Sequence, residues 1–575
     1  MSMVRGALLR YGRQSRQFKT IKNNVYMPSW LTCDLCKFGI SLVQNKLRTN
    51  ETTDAIADDV VKICIDLNIE SVRVCRDVVS EFKVRDTHYT GLLVLLSIFS
   101  KDWFCAVITN LIVSPDEMCG LMLGPLCAKP YNPFDEWNIT FPDVPKPPVV
   151  PPSPPKLFSP THRVLHLSDI HYDKHYRAGS NANCGEPICC RRDDGRPAPG
   201  DDGAGKWGDL RNCDAPLWLL DNLFQHLSSR EKFHYVLWTG DLPAHDIWEQ
   251  TKEEQLQILH IITQMAKKYL GNVPVFPAVG NHESAPANNF PQPFITGNHS
   301  IEWLYDALAD TWIDQTHWLP PYTRHTIKKG GYYTVLISPG LRLVALNSMY
   351  GYYGNFWLYL NTTDPAGQLQ WLISILQTAE DNEEKVYIIG HIPPGIDDCL
   401  RRWSWNYYKI INRYESTVVG QFFGHTHFDH FQIFYDEETL SRPLNVAYIA
   451  GSVTTQPTMH PSYRIYETDG FYLGSTRMVL NHHTYILNIT DANLTNKPVW
   501  IKEYSAKEAY GMNWLFPNDW NSLVKEFKKN KELFNKYYTY YYKSHPVTEC
   551  DDFCRKTMIC DMQSGRSFDP ELCNL

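Results

Sequence analysis

Five times in this chain a short apolar run ends, within a residue or two, at aspartate, asparagine or histidine. "RVLHLSDIH" ends at Asp169 and His171, "HYVLWTGD" at Asp241, "VPVFPAVGNHE" at Asn281 and His282, "KVYIIGH" at His391, and "VVGQFFGHTH" at His425 and His427. Runs of this length, rich in Val, Ile, Leu and Phe, read as buried strands. Helical patterns lie between some of them, "LWLLDNLFQHLSS" and "EQLQILHIITQMAKKYL" among them. Strands alternating with helices predict an α/β architecture, and open α/β sheets bind ligands in the crevice beyond their strand ends. Oxygen and nitrogen donors from several strand ends, with no thiolate among them, suit two divalent cations better than one. At "GHTH" the extended reading places His425 and His427 on the same side, so that both rings converge on one object.

The proline-rich stretch "FPDVPKPPVVPPSPPKLFSP" carries nine prolines in twenty residues and favours polyproline II. It divides the chain. Five parts are expected: an unassigned segment 1–29, a helical domain 30–128, the linker 129–160, the α/β domain 161–504 and a helical region 505–575. Before the linker, "DAIADDVVKICIDLN" has the i, i+3, i+4 spacing of an amphipathic helix. Near the end, "WNSLVKEFKKNKELFNKYYTYYYK" reads as one amphipathic helix.

Sixteen cysteines fall into clusters. Cys184 and Cys189, and Cys550 and Cys554, read as small disulfide loops; Cys190, Cys213, Cys560 and Cys573 are also taken as disulfide-bonded. Zinc knuckles are the rival reading, but the histidines that complete them are missing nearby. The triplets at Asn50, Asn138, Asn298, Asn361, Asn488 and Asn493 are N-glycosylation sequons. Both features predict a secretory route, lysosomal or extracellular. The first thirty residues are positively charged without an apolar core, so no signal peptide is legible. A net charge of −8 without a basic block speaks against nucleic acid as a partner.

The ordered set D-x-H, G-D, G-N-H-E, G-H and G-H-x-H resembles the calcineurin-like metallophosphoesterase superfamily. In the front domain, the spacing of Cys33, Cys36, Cys64, Cys75, Cys119 and Cys127 resembles the saposin-type domain. Together they make the chain from about residue 30 onward similar to the acid sphingomyelinase family. That resemblance implies a two-sheet metallophosphoesterase sandwich behind an all-α saposin-type domain, with the pairs Cys33–Cys127, Cys36–Cys119 and Cys64–Cys75. It implies two zinc ions, one held by Asp169, His171, Asp241 and His427, the other by Asp241, Asn281, His391 and His425, with Asp241 bridging. Two cations about 4 Å apart can share a water, lower its pKa and clamp the phosphoryl oxygens, which makes a metal-held hydroxide the expected nucleophile.

The resemblance further implies His282 as general acid on the leaving alkoxide of ceramide, and His245 as a group orienting the phosphate; a hydrogen bond from His245 to a metal ligand is the competing role. The expected reaction splits sphingomyelin into ceramide and phosphocholine, with the saposin-type domain touching the membrane and the chain acting as a monomer. The alternatives are another phosphodiester substrate (ceramide phosphoethanolamine, a nucleotide or another soluble diester) and a lipid-binding protein without catalysis. The family pairs the position of Cys399 with a cysteine in the stretch that reads "LNSMYGYYG" here, where none occurs. Cys399 and Cys105 are thus left over, as free thiols or as a bridge between domains. The aromatic stretches "SMYGYYGNFW" and "RRWSWNYYK" are expected mostly to pack in the core.

Overall fold

The structure, a computed structural model, describes residues 136–230, 232–569 and 571–574; before these it describes residues 53–66 and 70–81 and scattered positions between 37 and 119. Among the described residues, twelve strands form two sheets. β1 (Thr161–Leu167), β2 (Tyr235–Trp238) and β3 (Val275–Pro277) run parallel, and β10 (Ser462–Asp469), β11 (Val479–Leu487) and β12 (Trp500–Ser505) extend that sheet antiparallel in the order β12-β11-β10-β1-β2-β3. The second sheet has the order β4-β5-β6-β7-β9-β8. Its parallel centre is β5 (Leu341–Ala345), β6 (Lys385–Ile389), β7 (Val418–Phe423) and β9 (Pro443–Ile449), and its antiparallel edges are β4 (Tyr333–Ser338) and β8 (His430–Tyr435).

The continuous apolar runs are the central strands, because a parallel strand in such a sandwich is covered on both faces. Leu165, Leu167, Val236, Leu237, Ile388, Ile389 and Phe422 have no solvent exposure. Both sheets contribute to one core, with helices outside. The helix Lys252–Leu270 shows how local sequence sets an outer layer. Thr251 caps it by accepting the Glu254 N–H (3.2 Å), and Ile258, Leu259, Ile262, Ala266 and Leu270 form its buried stripe.

The stretch expected as one C-terminal helix is two, Pro517–Phe527 and Lys531–Tyr541. Asn530 breaks it: its side chain accepts the Leu533 N–H (3.0 Å) and starts the second helix afresh. Both helices, and a third at Asp552–Gln563, bury Val524, Phe527, Phe534 and Ile559 in the core of the sandwich. The strands β10 to β12 likewise complete the first sheet from a late part of the chain.

Disulfides join Cys64–Cys75, Cys184–Cys189, Cys190–Cys213, Cys550–Cys554 and Cys560–Cys573. Cys119 is buried and disulfide-bonded. Cys33, Cys36, Cys105 and Cys127 lie outside the described residues. Cys399 is a buried free thiol, which removes the bridge to Cys105. It pairs with Tyr352 in an isolated antiparallel bridge, so it sits against the stretch that lacks a cysteine.

Of the aromatic stretches, Tyr350, Tyr352, Tyr353, Trp357, Trp403, Tyr407 and Tyr408 are buried, as packing requires. Among the sequons, Asn138, Asn298 and Asn361 are exposed, Asn488 is half-buried, and Asn50 lies outside the described residues. Asn493 is half-buried; its amide accepts the Trp207 N–H (2.8 Å) and donates to the Gly208 carbonyl (3.0 Å), which holds the loop at 207–208.

Candidate metal centre

All seven predicted ligands meet where the parallel strands of the two sheets end. Asp169 and His171 follow β1, Asp241 follows β2 and Asn281 follows β3, while His391 follows β6 and His425 and His427 follow β7. Every one of them is buried. Five have left-handed backbone: Asp169 (φ 51°), His171 (φ 42°), Asp241 (φ 60°), His425 (φ 69°) and His427 (φ 65°). Such conformations cost non-glycine residues about 1–3 kcal/mol each and persist where surroundings over-determine them. Hydrogen bonds supply that constraint here, with Asp169 N–H donating to Gly240 O (3.0 Å) and His171 N–H to Asp241 O (3.1 Å). The strand ends also approach too closely for side chains. A Cβ on Gly280 would collide with the Asp241 carboxylate, and one on Gly240 with the Gly280 backbone.

The expectation that His425 and His427 converge on one object fails. They lie in a turn beyond β7, not in extended chain, and their rings diverge. His427 Nε2 is 3.2 Å from His171 Nε2 and 3.4 Å from Asp169 Oδ1. His425 Nδ1 is 3.0 Å from Asn281 Oδ1 and 3.2 Å from His391 Nε2. Asp241 Oδ2 belongs to both groups, 3.4 Å from His171 Nε2 and 3.0 Å from His391 Nε2. Its other oxygen accepts the His282 N–H (2.9 Å).

Tautomers show what the centre is built to hold. Nδ1 of His171, His391 and His427 lies 2.7, 2.7 and 2.6 Å from the carbonyls of Pro243, Thr239 and Gln456. A carbonyl only accepts, so each Nδ1 carries the proton and each Nε2 turns a lone pair inward. His171 and His427 thus face each other lone pair to lone pair at 3.2 Å. The separation is repulsive for neutral rings, but it matches the edge of a tetrahedron of ligands about 2.05 Å from a cation, about 3.3 Å. The donor set fits two divalent cations sharing Asp241.

The local charges agree. Burial opposes ionisation of Asp241, but the surrounding imidazoles, His391 foremost, outweigh it and hold the carboxyl below its usual range. Burial likewise opposes a charged His391, yet Asp241 and then Asp169 keep it up at about 9.

His282 and His245 stand beside the ligands. The His245 ring stacks on His171 (centroids 3.8 Å apart) and meets His282 edge-on (4.7 Å). His282 Nδ1 lies 3.2 Å from the Ala244 carbonyl. Burial, against the pull of Asp241, lowers the His282 pKa to about 4.

Sequence reasoning missed what holds these rings. Asp214 takes the His245 Nδ1 at 2.8 and 2.9 Å and also accepts its backbone N–H (2.7 Å). Glu283 accepts the N–H groups of Leu242 (2.8 Å) and Gly280 (2.6 Å), locking the ends of β2 and β3 together. Asp398 lies 3.3 Å from His425 Nε2. Lys543, wholly buried, donates to Ser452 Oγ (2.8 Å) in the loop beneath His427. The "NHE" motif offered a signal for Glu283; Asp214, beside Cys213 in a disulfide loop, gave none.

The sequence matches three family models in order: saposin-like type B, region 1 (residues 31–67), calcineurin-like phosphoesterase (162–429) and acid sphingomyelin phosphodiesterase C-terminal region (442–568). It is 47% identical over 545 residues to a Bos taurus sphingomyelin phosphodiesterase and 45% identical over the same length to that of Homo sapiens. Each alignment covers 94% of this chain and 83% of the relative. The chain belongs to the acid sphingomyelin phosphodiesterase family. A cyclic GMP-AMP phosphodiesterase of Mus musculus is 32% identical over 427 residues, 71% of this chain and 90% of the relative. Within this family the chain is a metallophosphoesterase enzyme: the fold, the order of domains and the histidine–aspartate centre agree.

Proposed function

We propose that this protein hydrolyses sphingomyelin to ceramide and phosphocholine at a centre loaded with two zinc ions. The observation that carries the reading is the pair of inward-facing donor groups sharing Asp241, in a chain that also carries a saposin-like domain. Zinc suits a set of four imidazoles, two carboxylates and one amide. When bound, the cations supply positive charge to the phosphoryl oxygens and make water a nucleophile near neutral pH.

The chain's own groups do the rest. With Nδ1 directed at Ala244 O, His282 exchanges its proton at Nε2, and as general acid it protonates the ceramide oxygen as the P–O bond breaks. An alkoxide is a poor leaving group, so this protonation contributes about 10²–10⁴-fold. Asp214 fixes the His245 ring through Nδ1 and leaves Nε2 directed away from it; in its imidazolium form the ring donates from Nε2 to a phosphate oxygen. The saposin-like domain contacts the membrane and presents the headgroup. The disulfides and the exposed sequons support a secretory route to the lysosome or the cell exterior, with the chain acting as a monomer.

Hydrolysis of liposomes of defined headgroup tests the substrate. Phosphocholine release from sphingomyelin vesicles, abolished by chelator, is the expected result. Cleavage of a soluble nucleotide diester with no response to sphingomyelin would favour the second reading, which the cyclic GMP-AMP phosphodiesterase relative keeps in view.

A further inference from the structure

The helix Val72–Glu81 of the front domain lies against the wall of the catalytic domain, with Val74 and Val78 packed on Ile188 and Trp248. Ile188 belongs to the loop closed by Cys184–Cys189, and Trp248 is three residues beyond His245. Charge crosses this seam. Arg73 pairs with Glu186 (Nε to Oε1, 3.1 Å) and with Glu249, and Ser71 Oγ donates to Glu186 (3.0 Å).

Glu249 is a bridge. Its second oxygen accepts from Arg191 Nη1 (3.2 Å), so one carboxylate joins a guanidinium of the front domain to one in the catalytic domain. Arg191 is only 4% exposed and passes the link inward. It donates to Asp173 through Nε (3.0 Å) and Nη2 (3.2 Å), and Nη2 also pairs with Asp246. Asp173 is two residues beyond His171, and Asp246 is next to His245. A second tie runs through the backbone, because Cys190, next to Arg191, is bonded to Cys213, next to Asp214, which holds His245. Gln250 closes the segment by donating to Ala244 O (2.7 Å), the carbonyl that also faces His282 Nδ1.

The charge balance shows why Arg73 matters to this wall. Four carboxylates, those of Asp173, Glu186, Asp246 and Glu249, share two guanidinium groups, those of Arg73 and Arg191. Removing Arg73 leaves Arg191 alone among four anions, and the exposed Glu249 carboxylate is then held by Arg191 only. Glu249, the bridge, is the carboxylate freed to move.

We propose that Arg73 is a positioning residue for phosphodiester hydrolysis, acting through Glu249, Arg191 and Asp246 on the segment that carries His245. The inference rests on the reading of this centre as a phosphodiesterase and of His245 as a group on the phosphate.

The test uses the full chain and a soluble substrate, bis(4-nitrophenyl) phosphate, whose turnover needs no membrane. Arg73→Ala should lower kcat about fivefold, with KM and metal content unchanged, a smaller loss than the roughly 10–100-fold typical of removing a group bonded directly to a ligand. Arg73→Lys should restore part of the rate, and Glu249→Gln should reproduce the Arg73→Ala loss without adding to it in the double variant. In a His245→Ala background the Arg73→Ala effect should vanish. Should Arg73→Ala misfold, Arg73→Lys and Glu249→Gln carry the same comparison. Loss confined to liposomes, or an undiminished Arg73 effect in the His245→Ala background, would overturn the proposal. A chain that cleaves the soluble diester but never sphingomyelin would sink the substrate reading and leave this one standing.

Discussion

His425 and His427, one residue apart, serve opposite halves of the centre, the first beside Asn281 and His391 and the second beside Asp169 and His171. The left-handed turn at both residues makes the split possible, since extended chain would aim both rings to one side.

Removal of either ring should accordingly empty one half and spare the other. His425→Ala and His427→Ala should each bind about one divalent ion per chain where the unmodified protein binds about two. Metal analysis of the purified variants checks this, and equal loss of both ions in both variants would mean that the halves are not separable.

Asp214 presents another opportunity. Asp214→Asn keeps the shape but removes the charge that faces His245 Nδ1, and it allows the amide to turn an N–H toward the ring. Turnover of sphingomyelin and of a soluble diester should fall together by about tenfold or more, with both metals retained. Parallel assays on the two substrates decide it; a drop on sphingomyelin alone would place His245 on the leaving-group side.

His282 should separate substrates by their leaving group. His282→Ala should nearly abolish sphingomyelin turnover while leaving a nitrophenyl phosphocholine much of its rate, because a nitrophenolate leaves without protonation. The pH dependence has a definite sign. Burial lowers the pKa of His282 to about 4, so its acid form dominates below that pH and declines about tenfold per unit well above it. Sphingomyelin hydrolysis should therefore weaken as pH rises, and nitrophenyl phosphocholine hydrolysis should weaken less. Equal depression of both substrates by His282→Ala would move this residue to phosphate binding.

The sequence carried the ligands because they sit on parallel strands, whose double burial writes an uninterrupted apolar run that stops abruptly at Asp, Asn or His. It carried less of the antiparallel strands. β10 reads "SYRIYETD", and its Arg464 is buried beside Asp429, whose carboxylate also accepts from Tyr504 (2.6 Å) and Thr484 (2.7 Å). A charge satisfied by partners from distant strands looks, in the sequence, like a surface residue. The same limit hid Asp214, 31 residues from the histidine it holds, and Glu249, whose two arginines come from opposite sides of the domain seam. The helix break at Asn530 was local and readable, since asparagine followed by "KELF" is a helix start within a longer apolar stripe.

Reconstitution with metal tests the central claim most directly. Protein freed of metal by chelation should be inactive on sphingomyelin vesicles and should regain activity as zinc is added, reaching its plateau at two ions per chain. Asp241→Asn, which removes the charge common to both halves, should bind neither ion firmly and regain little. Full activity in the presence of chelator, a plateau at one ion, or an Asp241→Asn protein that titrates like the unmodified chain would contradict a two-cation centre bridged by Asp241.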